Sequence, residues 1–393
     1  MMASQTLRRS FLGAAFALGV AVTPGVTLRA QATARQVLPA KLTDQEFWKL
    51  ITDLSEPAGT FRSENLLSNE TGYQMVIPDL LKVPREGKAY LGVGPEQNFT
   101  YIAAIKPAIA IIVDIRRGNL LEHLLYKALF ELSADRAEFV SRLFSKPRPT
   151  GLDSTSSAPA IMDAFDNVFG DSGTYQKNRR DVFDLLVKKH GFALSESDTS
   201  GMYWIWDQFY YTGLDISYSS STPGGLGGRG GYGRSGRMPS YKDIATATDG
   251  AGLNRGFLGS EKNWRLIKQM EAKNLIVPVV GDFGGPKAIK SVGKWLKERN
   301  AIVTAFYASN VEQYLFGDDK AFTYYDNVAE LPTDSTSVFI RSQGAARGFG
   351  GAGGFGGAGG MRMANRLCPI QDLLNANKAG HVSNYGDIFA YCQ

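Results

Sequence analysis

The chain has 393 residues, 44% of them hydrophobic and 11% aromatic, which is ample for a large core and too apolar for a disordered chain. Its formal charge is +5, from 43 Lys and Arg against 38 Asp and Glu, with three histidines and two cysteines. Those few, scattered His and Cys residues have no metal-ligand spacing, so no metal is expected.

The first segment accounts for most of the charge. "TLRRSFLGAAFALGVAVTPGVTLRAQATA" carries Arg8 and Arg9, then an apolar run, then small-residue cleavage patterns at Ala30–Ala32 and Ala32–Ala34. This reads as a secretory signal over residues 1–34, and Arg-Arg-Ser-Phe-Leu resembles the twin-arginine kind, which exports folded proteins. Pro24 and Gly25 break the apolar run, so no stable membrane span is expected after cleavage. Cleavage after Ala34 removes three arginines and no acid, leaving about +2. A near-neutral mature chain offers no electrostatic footprint for nucleic acid. The expected location is periplasmic or secreted, in a bacterium.

Residues 35–393 read as one α/β domain. Thr43 can cap a helix in which Phe47, Leu50, Ile51 and Leu54 recur at helical spacing. A second helix is expected from Thr71 to Leu81. "AYLGVGPEQNFTYIAAIKPAIAIIVDIR" (89–116) then reads strand, glycine turn, helix, strand. Leu120, Leu121, Leu124, Leu125, Ala128, Leu129 and Leu132 give the next segment a broad apolar helical face, as one long helix or two. From about 146 to 260 the pattern changes to a helical and aromatic insertion. Alternation resumes at 263 as helix, strand, helix, strand, helix, and "STSVFIRS" adds a further strand. Such alternation predicts a doubly wound, mainly parallel sheet. Gly-rich tracts at 224–237 and 344–360 are expected to be surface loops, the first superficially like RNA-binding RGG segments.

The 89–116 unit carries the chemistry. Gly92 and Gly94 let a backbone approach a ligand, the following helix N-terminus favours polar or anionic groups, and Asp114 comes about 22 positions after Gly92, near the interval for a ribose carboxylate. A dinucleotide fingerprint wants glycine where Gln97 stands. Here the chain resembles the class I S-adenosylmethionine-dependent methyltransferases. The resemblance covers 65–120 and 262–342. It implies S-adenosylmethionine as cofactor, with Glu70 of "SNETGYQ" lining the donor pocket and Asp282 and Phe283 of "VVGDFGG" beside the adenine. Asn310 of "YASN" faces the methyl donor on the same implication, with Tyr307 or Glu70 as the base if one exists. Tyr90 and Glu96 depart from the family pattern, which has an acid and a third glycine there. Function is thus expected to be S-adenosylmethionine binding, possibly with methyl transfer to an unidentified acceptor. The alternative is an exported, non-enzymatic protein binding a small-molecule ligand on a degenerate methyltransferase-like scaffold, since adenosylmethionine is a cytoplasmic metabolite.

Other patterns are weaker. Asp207, Asp215, Trp204, Trp206, Tyr210 and Tyr211 would suit a carbohydrate pocket or plain packing. Gly170–Gly173 resembles a protease loop but has no suitable histidine context, and "GGPKAIKS" lacks phosphate-loop spacing. Arg116 and Arg117 suit either a ligand carboxylate or pairing with nearby acids. Cys368 and Cys392 are either a disulfide closing a loop of roughly 25 residues or two free thiols.

The signal is directly testable. Residues 1–40 fused to a folded reporter should carry it to the periplasm, and Arg8→Lys with Arg9→Lys should block that transfer. Export that persists in a strain without the twin-arginine translocase would contradict the assignment.

Overall fold

The computed structural model describes residues 37–218, 238–343 and 364–393. The expected signal segment and both Gly-rich tracts lie outside the described residues. Among the described residues are six strands and fourteen α-helices.

Helix α1 (Asp44–Leu54) begins where a capping box forms: Thr43 accepts from the Glu46 N–H while the Glu46 side chain reaches back to Thr43. The expected 71–81 helix shrinks to α2 (Ile77–Leu80). Before it, Tyr73, Met75 and Ile77 make only i→i−3 bonds to Glu70, Gly72 and Gln74, and Pro78 in the first turn starts a helix rather than continuing one. Residues 55–76 otherwise form an irregular strap.

Strand β1 (Ala89–Gly92), α3 (Gln97–Ile105) and β2 (Ile109–Asp114) follow as the pattern predicts. The next apolar segment is two helices, α4 (Arg117–Leu132) and α5 (Arg136–Phe144), separated at Asp135, which caps α5. The sequence reads α4 as amphipathic, but residues 119–130 are buried consecutively, so it is enclosed on all sides. The insertion is helical: α6 (Ala158–Asp166), α7 (Ser172–Phe183) running into π-helical turns at Asp184–Lys189, α8 (Glu196–Thr212) and α9 (Tyr241–Thr246). The chain returns through α10 (Glu261–Ala272), β3 (Ile276–Val280), α11 (Ala288–Lys297), β4 (Val303–Ser309), α12 (Val311–Gly317), α13 (Ala321–Ala329) and β5 (Val338–Gln343). Strand β6 (Ala364–Pro369), absent from the sequence reading, leads into α14 (Ile370–Lys378).

The sheet order is β3-β2-β1-β4-β5-β6, all parallel except the β5–β6 pair. Every residue of β1, β2 and β3 is buried, as expected when helices cover both faces of a parallel sheet. One continuous apolar core joins sheet, flanking helices and insertion. Chain order reverses between β1 and β4, so their carboxyl ends diverge into the crevice where open α/β sheets take ligands.

A disulfide joins Cys368 on β6 to Cys392, 24 positions on. The chain-entropy model gives such a loop about 3–4 kcal/mol. Replacing both cysteines by serine should lower the unfolding free energy by that order, and wild-type thiols should label only after reduction. Full labelling without reductant would show two free thiols.

Candidate functional site

All seven residues assigned to a ligand by sequence lie at or just beyond the carboxyl edge, where β1 ends at Gly92, β2 at Asp114, β3 at Val280 and β4 at Ser309. The strap crosses this edge, with Gly59 N–H bonded to the Ile115 carbonyl and Glu56 N–H to that of Val280, both at 3.0 Å. Convergence of backbone positions is not the same as a common set of free side chains, and here most are already engaged.

Gly92 is required by its own chain. A Cβ there would sit 1.9 Å from Asn98 Oδ1. Asn98, in the first turn of α3, donates to the carbonyls of Val93 (2.9 Å), Gly94 (3.1 Å) and Pro95 (2.8 Å) and accepts from Tyr90 (2.8 Å). That side chain ties the glycine turn together. Gly94, at φ +76°, is the position that needs glycine for its backbone.

Asp114 is likewise taken. Its carboxylate accepts from the Arg116 N–H (2.9 Å), Nε (2.9 Å) and Nη2 (2.7 Å), and both residues are buried. Arg117 pairs instead with Asp198 on α8. Asp282 accepts from Lys320 (2.6 Å) and from its own turn at Gly284 (3.0 Å), while its N–H donates to Glu56 (2.6 Å). Phe283 is buried, its ring packed on Phe306 and Tyr324 at 5.7 and 5.8 Å. Asn310 precedes α12, part-buried, near Gln313.

Glu70 fills the crevice rather than lining it. It is buried, accepts from Tyr307 (2.9 Å), Ser309 (2.6 Å) and Asn365 (2.8 Å), and Gln97 in turn donates to Tyr307. Ser309 aims its hydroxyl there from a left-handed backbone, φ +49°, a local strain of the kind stored at sites. Burial, then the charge of Glu70, pushes the Tyr307 phenol well above its ordinary range. The aromatic cluster of the insertion divides. Trp206 is core, bonded to the Leu143 carbonyl, Tyr210 stacks on Tyr175, and Tyr211 is exposed.

A second group, which the sequence reading missed, sits beside the glycine turn. Asn119, Glu122, His123 and Tyr126 form an i, i+3, i+4, i+7 stripe on buried α4, and Glu96 and Tyr241 complete the cluster. Both carboxyl groups, both polar atoms of Asn119, His123 Nδ1, Arg116 Nη1 and the Tyr126 and Tyr241 hydroxyls have no hydrogen-bond partner. A polar stripe on a helix whose other faces are leucine was the available sequence signal. His123 Nε2 lies 2.9 Å from the Gly94 carbonyl, which assigns the ring proton to Nε2 and leaves Nδ1 as an acceptor. Burial holds Glu96 up at about 8, against the pull of its own and the Ser68 N–H, which lie near without forming proper hydrogen bonds. Glu122 is held well above its ordinary range by burial and then by Glu96, while burial lowers His123 to about 4. Beside Glu96 is a cavity of about 10 Å³, room for about one water, lined also by Tyr73, Tyr241 and Phe257. Among the described residues no group of three or more His, Cys, Asp or Glu is placed to hold a metal.

The model of one family, described as a domain of unknown function, DUF7790, matches residues 66–208 and 239–356, well over half of the chain. The chain belongs to the DUF7790 family. Its matched segments contain the glycine turn, Asp114, the α4 stripe and the β3 and β4 ends, whereas residues 37–65 and Asn365 fall outside. No curated protein matches the chain.

Glu96 should leave a pH signature. Its folded value of about 8 exceeds its ordinary 4.5, so the folded state holds the extra proton, and stability is lost as pH rises toward 8. His123 acts in the opposite sense, but only between about 4 and 6.5. From pH 6.5 to 8, Glu96→Gln should therefore decline less than wild type, by about 1–2 kcal/mol in denaturant unfolding. Parallel curves would show that Glu96 does not hold its proton.

Proposed function

We propose that this DUF7790 chain is an exported ligand-binding protein that uses a methyltransferase-like doubly wound scaffold without transferring methyl groups. The scaffold part of the reading draws on the strand order, which is that of doubly wound nucleotide-binding sheets but with its last strand reversed, and on a glycine turn at the switch point. Export is supported by the Cys368–Cys392 bridge, since disulfides persist in oxidising compartments.

The observation that carries the non-enzymatic reading is the Asp114–Arg116 pair. Holding a ribose would require Asp114 to release a buried partner that gives it three hydrogen bonds. Breaking a buried ion pair costs about 3–5 kcal/mol. Two ribose hydrogen bonds return about 2–3 kcal/mol, so the exchange is unfavourable. Glu70 and Gly92 are similarly occupied by Tyr307, Ser309, Asn365 and Asn98.

Binding of S-adenosylmethionine is the second reading, favoured by the gathering of Gly92, Gly94, Asp114, Asp282 and Asn310 at one sheet edge. It requires the strap to lift and Arg116 to turn away. Calorimetric titration of residues 35–393 with S-adenosylmethionine and S-adenosylhomocysteine separates the two. The expected result is no saturable heat up to about 1 mM ligand, a limit near −4 kcal/mol. Micromolar binding that Asp114→Ala abolishes would overturn the proposal in favour of the second reading.

A further inference from the structure

The cavity beside Glu96 has a composition that selects its occupant. Its wall combines the Glu96 carboxyl with the rings of Tyr73, Tyr241 and Phe257. Glu96 is 1% exposed and neither of its oxygens has a partner, and the Tyr241 hydroxyl, on the same wall, has none either. Near Glu96 stands Glu122, fully buried and equally unpartnered, whose ionisation burial and then Glu96 oppose.

The surroundings supply almost no positive charge. Arg116 is the cation nearest Glu122, and its Nε and Nη2 are spent on Asp114, leaving Nη1 alone. Asp114 and Glu64, which also face Glu122, add negative charge, and His123 presents only its acceptor Nδ1. The cavity wall itself carries three unpartnered polar atoms, the two Glu96 oxygens and the Tyr241 hydroxyl, beside apolar Ile244, Ala245 and Leu258; once Glu96 ionises, near pH 8, both its oxygens are acceptors only. At that pH an anion would meet the charge of the Glu96 carboxylate. A metal lacks its ligand cluster among the described residues. A small group with several N–H donors and a positive charge satisfies the Glu96 oxygens and the Tyr241 hydroxyl within a space that the Tyr73, Tyr241 and Phe257 rings also line.

We infer that this cavity binds a small ammonium group, either the free ammonium ion, which is the size of the water-sized space, or the head of a short primary amine. The inference names a ligand for a protein already read as a binding protein and rests on that reading. Its site shares Tyr73 and Gln97 with the surroundings of the crevice filled by Glu70, but includes neither Glu70 nor Asp114. S-adenosylmethionine titration reports on that crevice, and the measurement below reports on Glu96, so the two readings can fail separately.

The test is the melting temperature of residues 35–393 at pH 8 in ammonium, methylammonium, tetramethylammonium or sodium chloride at equal ionic strength. Ammonium should raise the midpoint saturably relative to sodium, by about 2 °C once tenfold above its dissociation constant. Methylammonium acting equally or better identifies an amine head group, and ammonium acting alone identifies the free ion. Tetramethylammonium, with no N–H, should do nothing. At pH 5.5, where Glu96 keeps its proton, the ammonium effect should vanish. Glu96→Gln, which preserves shape, should abolish the effect at pH 8, and Glu122→Gln should weaken it. Equal midpoints in ammonium and sodium, or an ammonium shift that survives in Glu96→Gln, would overturn the inference; the former would leave the cavity to water.

Discussion

A carboxylate cannot be taken out of water unless hydrogen bonds replace its hydration, and Glu70 imposes that condition on the centre of this fold. Its oxygens draw in Tyr307 and Ser309 from β4 and Asn365 from β6, and through Tyr307 they reach Gln97 on α3. The strap, the switch point, the glycine-turn helix and the antiparallel strand are thus joined at one point. Asn365 also donates to Tyr101, whose hydroxyl donates to the Tyr73 carbonyl, closing the network back on the strap. Removing a partner would leave a buried group unsatisfied, so the arrangement is held as a unit.

The same logic governs the other end of the strap. Glu56 accepts the Asp282 and Lys287 N–H groups, and Glu64 lies against Gly118 at the start of α4. Three strap carboxylates therefore sit against three places on the carboxyl edge, the loop after β3, the start of α4 and the end of β4. Positions that an open α/β sheet offers to anionic or polar ligand groups are met by the chain itself.

Local signals carried the reading of the sequence and non-local ones escaped it. Thr43 and Glu46 cap α1 from three residues apart, and the apolar runs of β1 and β2 are self-evident, so these elements were legible. Strand β6 was not, because "ANRLCP" has no alternation of its own and exists through register with β5, from Val338–Pro369 to Gln343–Ala364. The site follows the same division. Placement of Gly92, Asp114, Asp282 and Asn310 at one edge follows from strand ends, which patterning locates. What each side chain does depends on a partner. Asn98 explains Gly92 and Arg116 explains Asp114, and neither pairing differs in sequence pattern from a residue left free for a ligand. The α4 stripe was hidden for another reason: its leucines suggested an outward polar face, whereas the insertion encloses it.

Both outer strands of the sheet end against their own chain. At β3 the Glu56 N–H bonds to the Val280 carbonyl, and at β6 the Gln393 N–H bonds to that of Leu367 at 2.8 Å. A bare strand edge is a template for another polypeptide, and covering it is what keeps such sheets from joining one another. The two covers differ in kind. The β3 cover is part of the strap, held by ordinary packing, whereas the β6 cover is a short tail fastened by Cys392. Opening the bridge would remove the cross-link that holds the tail, and with it the Gln393 N–H, against the Leu367 carbonyl of β6.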